Sequence, residues 1–292
     1  MCSEERTLGN NFVSPAWLAS ATDDGGICVL DASWHMPASG RQGQHEYAQR
    51  RIPGAVFFDI DAFADPASDL PHMLPSAQAF SEATAALGIS SDSHLVVYDS
   101  VGLFSAPRAW WMFKSFGHDG VSVLAGGLPA WERASLSLET GMPGLVSPGR
   151  GLDGAWRHGW IAEIESVTDA LARADAVVID ARSPGRFSGS DPEPRPGLSS
   201  GHMPGAVNLP FQCLIDETSG KLLPADQLHA AFEALGVCAD KEIITTCGSG
   251  VSACILALAL DEIGLSASVY DGSWCEWATR MDASMIATGD EP

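Results

Sequence analysis

The sequence predicts an α/β protein built from two tandem domains, each a mainly parallel sheet flanked by helices. Three observations carry that expectation. Short β-branched runs alternate with helical runs, joined by short connections, which is how parallel strands and crossover helices follow one another. A set of landmarks recurs in the same order in both halves. The chain has 292 residues, enough for two domains that each bury a core.

In the first half, strands are expected near 27–31, 56–58, 95–98 and 121–124. In the second, they are expected near 177–180, 207–209, 242–246 and 267–270. Helical patterns cover 75–87, 106–116, 166–173, 225–235 and 253–263. Several stop at a glycine, Gly88, Gly117, Gly236 or Gly264, where a left-handed residue ends a helix at little steric cost.

The repeat is read from four matches. Asp31-Ala32 corresponds to Asp180-Ala181, and the turn Arg51-Ile52-Pro53-Gly54-Ala55-Val56 to His202-Met203-Pro204-Gly205-Ala206-Val207. The strand ending at Asp99 corresponds to the one ending at Cys247. Gly126-Gly127-Leu128-Pro129-Ala130-Trp131 corresponds to Gly272-Ser273-Trp274-Cys275-Glu276-Trp277. This is duplication of a whole domain, with a first domain at 1–140, a Gly/Pro-rich linker at 141–159 and a second domain at 160–292.

The balance is acidic, with 37 Asp and Glu against 16 Lys and Arg and a net charge of −21. That argues against nucleic acid or an anionic membrane as partner. No run approaches the length of about 18 apolar residues that spans a bilayer. Residues Met1 to Arg6 lack the apolar stretch of a signal peptide, so a cytoplasmic location is expected. The cysteines, at 2, 28, 213, 238, 247, 254 and 275, are odd in number and form no CxxC pair, so neither a disulfide framework nor a metal site is expected.

Chemistry concentrates at Cys247-Gly248-Ser249-Gly250-Val251-Ser252. A buried strand leads in and a helix leads out. A cysteine first in such a loop faces successive amide N–H groups and the positive end of a helix dipole, which favours the thiolate. The first half has Asp99 at this position, so one reactive loop per chain is expected. A phosphatase would need an arginine six residues after the cysteine, and that residue is Ala253. Cys254, one helical position further on, is expected to pack, with a resolving role as the alternative.

The tandem domains, the Asp99/Cys247 asymmetry and the loop from Cys247 to Ser252 resemble the two-domain rhodanese family, over nearly the whole chain. Within it, the neutral Gly248-Ser249 pair resembles the branch that uses mercaptopyruvate. The thiosulfate branch carries cationic residues after the cysteine. The family pattern has Thr where this chain has Ser252.

The resemblance implies a sulfurtransferase in which Cys247 carries a persulfide, without metal or organic cofactor. Gly248, Gly250, Val251 and Ser252 would bind the substrate as the loop around the sulfur. Arg186 and Arg195 match the two arginines that hold the donor's carboxylate and carbonyl, a task suited to planar guanidiniums. Asp61 and His72 match residues of a proposed Asp–His–Ser relay, here Asp61–His72–Ser249, with Asp59 as the alternative carboxylate. His202 looks structural, and Trp274 and Trp277 are expected in the core. The expected partners are a 2-oxo acid thiol donor and a thiol acceptor such as thioredoxin, or cyanide. The alternatives are thiosulfate as donor, or a sulfur-carrier module that turns over no small molecule.

Overall fold

The computed structural model describes residues 10–21 and 26–289. Cys2 and the N-terminal residues read above lie outside them. By its contacts the chain divides into two compact units. One comprises the residues up to Pro66, Leu74–Arg157 and Asp216–Leu222; the other comprises Ala67–Met73, His158–Ile215 and the residues from Leu223 onward.

The first unit carries β1 (Phe12–Val13), β2 (Ile27–Asp31), β3 (Val56–Phe57), β4 (His94–Tyr98) and β5 (Val121–Leu124). Its helices are α1 (Pro15–Ala21), α2 (Gly43–Gln49), α3 (Ala77–Ala86), α4 (Ala106–Ser115) and α5 (Gly127–Arg133). The second carries β6 (Ile161–Ala162), β7 (Ala176–Asp180), β8 (Val207–Asn208), β9 (Glu242–Thr246) and β10 (Ser268–Tyr270). Its helices are α6 (Ile164–Leu171), α7 (Pro184–Ser188), α8 (Ala225–Glu233), α9 (Ala253–Glu262) and α10 (Ser273–Arg280).

The strands form two parallel sheets of one topology, β1-β5-β4-β2-β3 and β6-β10-β9-β7-β8. The duplication read from the sequence is therefore a duplication of sheet order. The strands β1 and β6, of two residues each, were not expected, because so short an edge strand has no periodicity to show. The expected linker region up to Arg157 packs on the first unit: Trp156 Nε1 donates to Pro75 O at 2.9 Å, and Arg157 pairs with Asp119.

The central strands are apolar and buried. All of β7 is buried, as are the last four residues of β9, which fits strands covered on both faces. Helix α9 is buried from Ala253 to Leu260, so its uniformly apolar sequence reflects enclosure on every side. In the second unit Trp274 and Trp277 join Val178, Ile244, Phe187 and Met203 in one apolar cluster.

This topology fixes where a site can form. From β7 the chain passes to β8 on one side, then returns to place β9 on the other. The order of the sheet reverses between β7 and β9, and such switch points open a crevice beyond the carboxyl ends of the strands. Asp180 at the end of β7 is in register with Thr246 at the end of β9, and Ala181 N donates to Thr246 O at 2.9 Å. The residues that follow, Ala181 and Cys247, thus leave the sheet side by side, with Arg182 next along the first of them.

Candidate active site

Cys247 is buried, 2 % exposed, and is a free thiol. Its loop is fastened by the start of α10. Trp274 N donates to Cys247 O and Cys275 N to Gly248 O, both at 3.0 Å. Ser273, itself in the left-handed region with φ 50, accepts from Cys247 N at 3.3 Å and donates its hydroxyl to Tyr270 O. Gly250 turns the loop with φ 79. Cys254 N then bonds Val251 O and Ile255 N bonds Ser252 O, which starts α9. The Cys254 thiol donates to Gly250 O at 3.1 Å, so its part is to hold the turn.

The corresponding loop of the first unit shows what this geometry accommodates. Leu128 N bonds Asp99 O there, as Trp274 N bonds Cys247 O, so the two loops are anchored at matching residues. The fully buried Asp99 carboxylate accepts from the amides of Val101, Gly102, Phe104, Ser105 and Ala106 at 2.7–3.0 Å. A strand end, a glycine turn and a helix start together make a nest for an anion. The first loop is one residue longer, with α4 starting seven positions after Asp99 and α9 six after Cys247.

Beside the cysteine loop lies a chain of charged groups. Arg182 is buried and bonds the Asp180 carboxylate through Nε and Nη2, Glu193 Oε1 through Nη1 at 2.8 Å, and Gly201 O. Its guanidinium stands 4.4 Å from the Trp274 ring centre. Burial works against its charge, but the Asp180 and Glu193 carboxylates outweigh burial and raise its basicity. Glu193 in turn grips Arg186, accepting from Nε at 3.0 Å and from Nη2 at 2.6 Å. Arg186 comes from α7, which starts at Pro184 directly after the β7 turn.

Arg186 Nη2 lies against the cysteine loop: a Cβ on Gly248 would stand 2.8 Å from it. The Cys275 thiol reports on the same point. Burial pushes it up, the Arg195 guanidinium pulls it back, the Cys247 and Glu193 charges raise it, and Arg186 lowers it. Cys247, Arg186, Arg195 and Glu193 therefore all lie within electrostatic reach of Cys275. Arg195 has no ion pair among the described residues.

His72 is buried and belongs to the second unit with the segment Ala67–Met73. Its backbone is left-handed, φ 62, which is uncommon for a residue with a side chain. Nδ1 lies 3.0 Å from Ser249 O. A carbonyl only accepts, so Nδ1 carries the proton in this contact. His72 thus meets Ser249 through the backbone, whereas the sequence reading joined it to the hydroxyl. Asp61 belongs to the first unit, is exposed, and accepts from Trp34 Nε1 at 3.0 Å, while Asp59 Oδ1 accepts from Asp61 N.

The structure thus brings together Cys247, Gly248, Ser249, His72 and Arg186. Arg182, Glu193 and Ser273 were not singled out from the sequence. A signal was present, since Arg182 follows a strand-end aspartate by two residues and Glu193 shares a Pro-rich loop with Arg195. His202 is buried, stacks on Phe187 with ring centres 3.9 Å apart and bonds Phe187 O, a packing role. Among the described residues no group of three or more His, Cys, Asp or Glu is placed to hold a metal ion. No helix there is long and apolar enough to cross a membrane.

The family model for the rhodanese-like domain matches residues 14–134 and again 163–280. The chain belongs to the rhodanese family. As a rhodanese it is 45 % identical over 273 residues to the 3-mercaptopyruvate sulfurtransferase of Escherichia coli K12, covering 93 % of this chain and 96 % of the relative. It is 41 % identical to thiosulfate/3-mercaptopyruvate sulfurtransferase 2 of Arabidopsis thaliana, covering 94 % of this chain and 86 % of that one. The crystal structure of SseA from Escherichia coli, a 3-mercaptopyruvate sulfotransferase, matches with a TM-score of 0.82 at 42 % identity. It covers 90 % of this rhodanese and 98 % of that chain.

Proposed function

We propose that this rhodanese is an enzyme that moves sulfur from 3-mercaptopyruvate through Cys247 to a thiol acceptor or cyanide, releasing pyruvate. The observation that carries the reading is the seat of Arg186: a guanidinium held against Gly248, one residue from a buried cysteine at the switch point of the sheet. A small 2-oxo acid whose carboxylate lies on Arg186 and Arg195 presents its sulfur to Cys247.

The Cys247 thiolate attacks the donor's sulfur. The new S–S bond forms as the C–S bond breaks, and the electron pair leaves with the three-carbon fragment as pyruvate enolate. A proton delivered to that carbon gives pyruvate. His72 Nε2 and the Ser249 hydroxyl are the groups we assign to that proton. The persulfide's outer sulfur occupies a nest of the kind that holds Asp99, whose carboxylate oxygens stand as far along the side chain as a second sulfur would. A thiol, such as that of thioredoxin, or cyanide then takes the outer sulfur and restores the thiolate.

We assign residues 160–292 as the catalytic domain and 1–140 as the non-catalytic one. The reaction is placed in the cytoplasm, a reading supported by the free thiols of Cys28, Cys213, Cys238, Cys247, Cys254 and Cys275. The test is pyruvate release from 3-mercaptopyruvate by the wild type and by Cys247→Ser, beside cyanide sulfuration from thiosulfate. Release by the wild type alone, with mercaptopyruvate the better donor, is expected. Equal rates for the two proteins, or a clear preference for thiosulfate, would overturn the reading.

A further inference from the structure

Glu193 has no counterpart in the reading above, yet its carboxylate touches both the buried Arg182 and the partly exposed Arg186. It accepts from Arg182 Nη1 at 2.8 Å and from Arg186 Nε and Nη2 at 3.0 and 2.6 Å, with its side chain 2 % exposed. Two of Arg186's nitrogens are thereby committed, and the plane of its guanidinium is fixed. The grip leaves Nη1 and the second N–H of Nη2 able to take a second anion without breaking the pair.

The grip also sets the charge. The cluster holds three guanidiniums, of Arg182, Arg186 and Arg195, and two carboxylates, of Asp180 and Glu193. Asp180 is taken up by Arg182. What faces the cysteine loop is then one net positive charge in a partly buried setting, where an unbalanced charge is costly.

The first unit shows that the fold does not require the buried Arg182 link in this chain of charges. Asp31, the counterpart of Asp180, makes the same turn bond, from Ser33 N at 2.9 Å, as Asp180 does from Arg182 N at 2.9 Å. Ser33 stands where the second unit has Arg182, and the sheet order is unchanged. The first unit has an Arg–Glu grip of its own, Arg41 on Glu46 with Ser100 beside Asp99, but no arginine among the described residues joins it to Asp31. The link through Arg182 belongs to the half of the chain that has the cysteine.

We propose that Glu193 is a specificity-determining positioning residue, which aims Arg186 and removes one positive charge from the site. The site then suits a donor with a single negative charge and disfavours a small dianion such as thiosulfate. This rests on the proposed binding of the donor's carboxylate at Arg186 and Arg195. In Glu193→Gln the side chain keeps its length and one acceptor, but the cluster gains a net charge.

The test uses the full-length protein with cyanide as acceptor, and compares kcat/KM for thiosulfate and 3-mercaptopyruvate in the wild type, Glu193→Gln and Glu193→Asp. In Glu193→Gln the thiosulfate-to-mercaptopyruvate ratio is expected to rise about tenfold, equivalent to about 1.4 kcal/mol, mainly through the KM values. Glu193→Asp keeps the charge and is expected to retain the wild-type ratio while losing efficiency with both donors. An unchanged ratio in Glu193→Gln, or an equal rise in Glu193→Asp, overturns the inference.

Inhibition of the wild type by sulfate and by pyruvate at constant ionic strength covers the case of a variant that does not fold. Pyruvate is expected to act at the lower concentration, and the reverse order overturns the inference. A wild type that turns over thiosulfate but not mercaptopyruvate refutes the donor reading itself. A wild type that uses mercaptopyruvate, with no change of ratio in the variant, refutes only the role of Glu193.

Discussion

The α-carbon of Gly248 and the guanidinium of Arg186 are packed so closely that a Cβ on Gly248 would stand 2.8 Å from Nη2. The end of an arginine ordinarily swings away from such a contact. Here Glu193 holds it at two nitrogens. Gly248→Ala must therefore break that grip or displace the loop. We expect kcat/KM for mercaptopyruvate to fall at least about tenfold, with the melting temperature little changed. Steady-state kinetics beside a thermal melt checks this.

Asp99 supports its loop from within. Replacing it by alanine strips a buried carboxylate from five amides. Each unpaired buried N–H costs about 1–3 kcal/mol, and water entering the space left behind recovers part of it. Asp99→Ala is expected to lose at least about 3 kcal/mol, read from the denaturant midpoint.

Arg182 is expected to matter to stability as well as to the site. Arg182→Leu leaves Asp180 buried without its cation and releases Glu193 from one partner. Breaking a buried pair from one side costs about 3–5 kcal/mol. Calorimetry on the variant should show the loss, and a stability equal to wild type would mean that the pair is dispensable.

The same strand-end position behaves differently in the first unit. Asp31 has no arginine at its turn, and burial pushes its carboxyl up to about 6, against the hydrogen bonds from Ser33. A carboxyl with a raised folded-state pKa favours folding while it is protonated. That contribution is complete below about 4 and is lost as pH rises through about 6. Asp31→Asn has no such loss. The melting temperature of the variant, relative to wild type, is therefore expected to climb between pH 4 and pH 7, and a flat difference would refute the assignment.

Much of this architecture is legible in the residues, for physical reasons. The strands at 27–31, 121–124 and 242–246 stand where β-branched runs placed them, because a strand buried on both faces must be apolar throughout. Helices α3, α4, α8 and α9 lie within a residue or two of the glycine-ended patterns, while α6 starts and ends two residues earlier than expected. The nucleophile loop is local in sequence and could be read whole. Contacts made across long separations could not. Nothing in the order of residues says that α10 clamps the loop through Ser273 and Trp274, or that Glu193 joins two arginines. His72 could be matched to Ser249, but its bond to the carbonyl depends on a left-handed backbone that no residue pattern announced.

The central claim is that Cys247 carries the sulfur that mercaptopyruvate gives up. Intact-protein and peptide mass spectrometry after reaction with 3-mercaptopyruvate, with acceptors withheld, tests it most directly. The account predicts one added sulfur atom per chain, located on the Cys247 peptide, matched by one equivalent of pyruvate and absent in Cys247→Ser. Pyruvate formed with no sulfur on that peptide, or sulfur held at another cysteine, would contradict it.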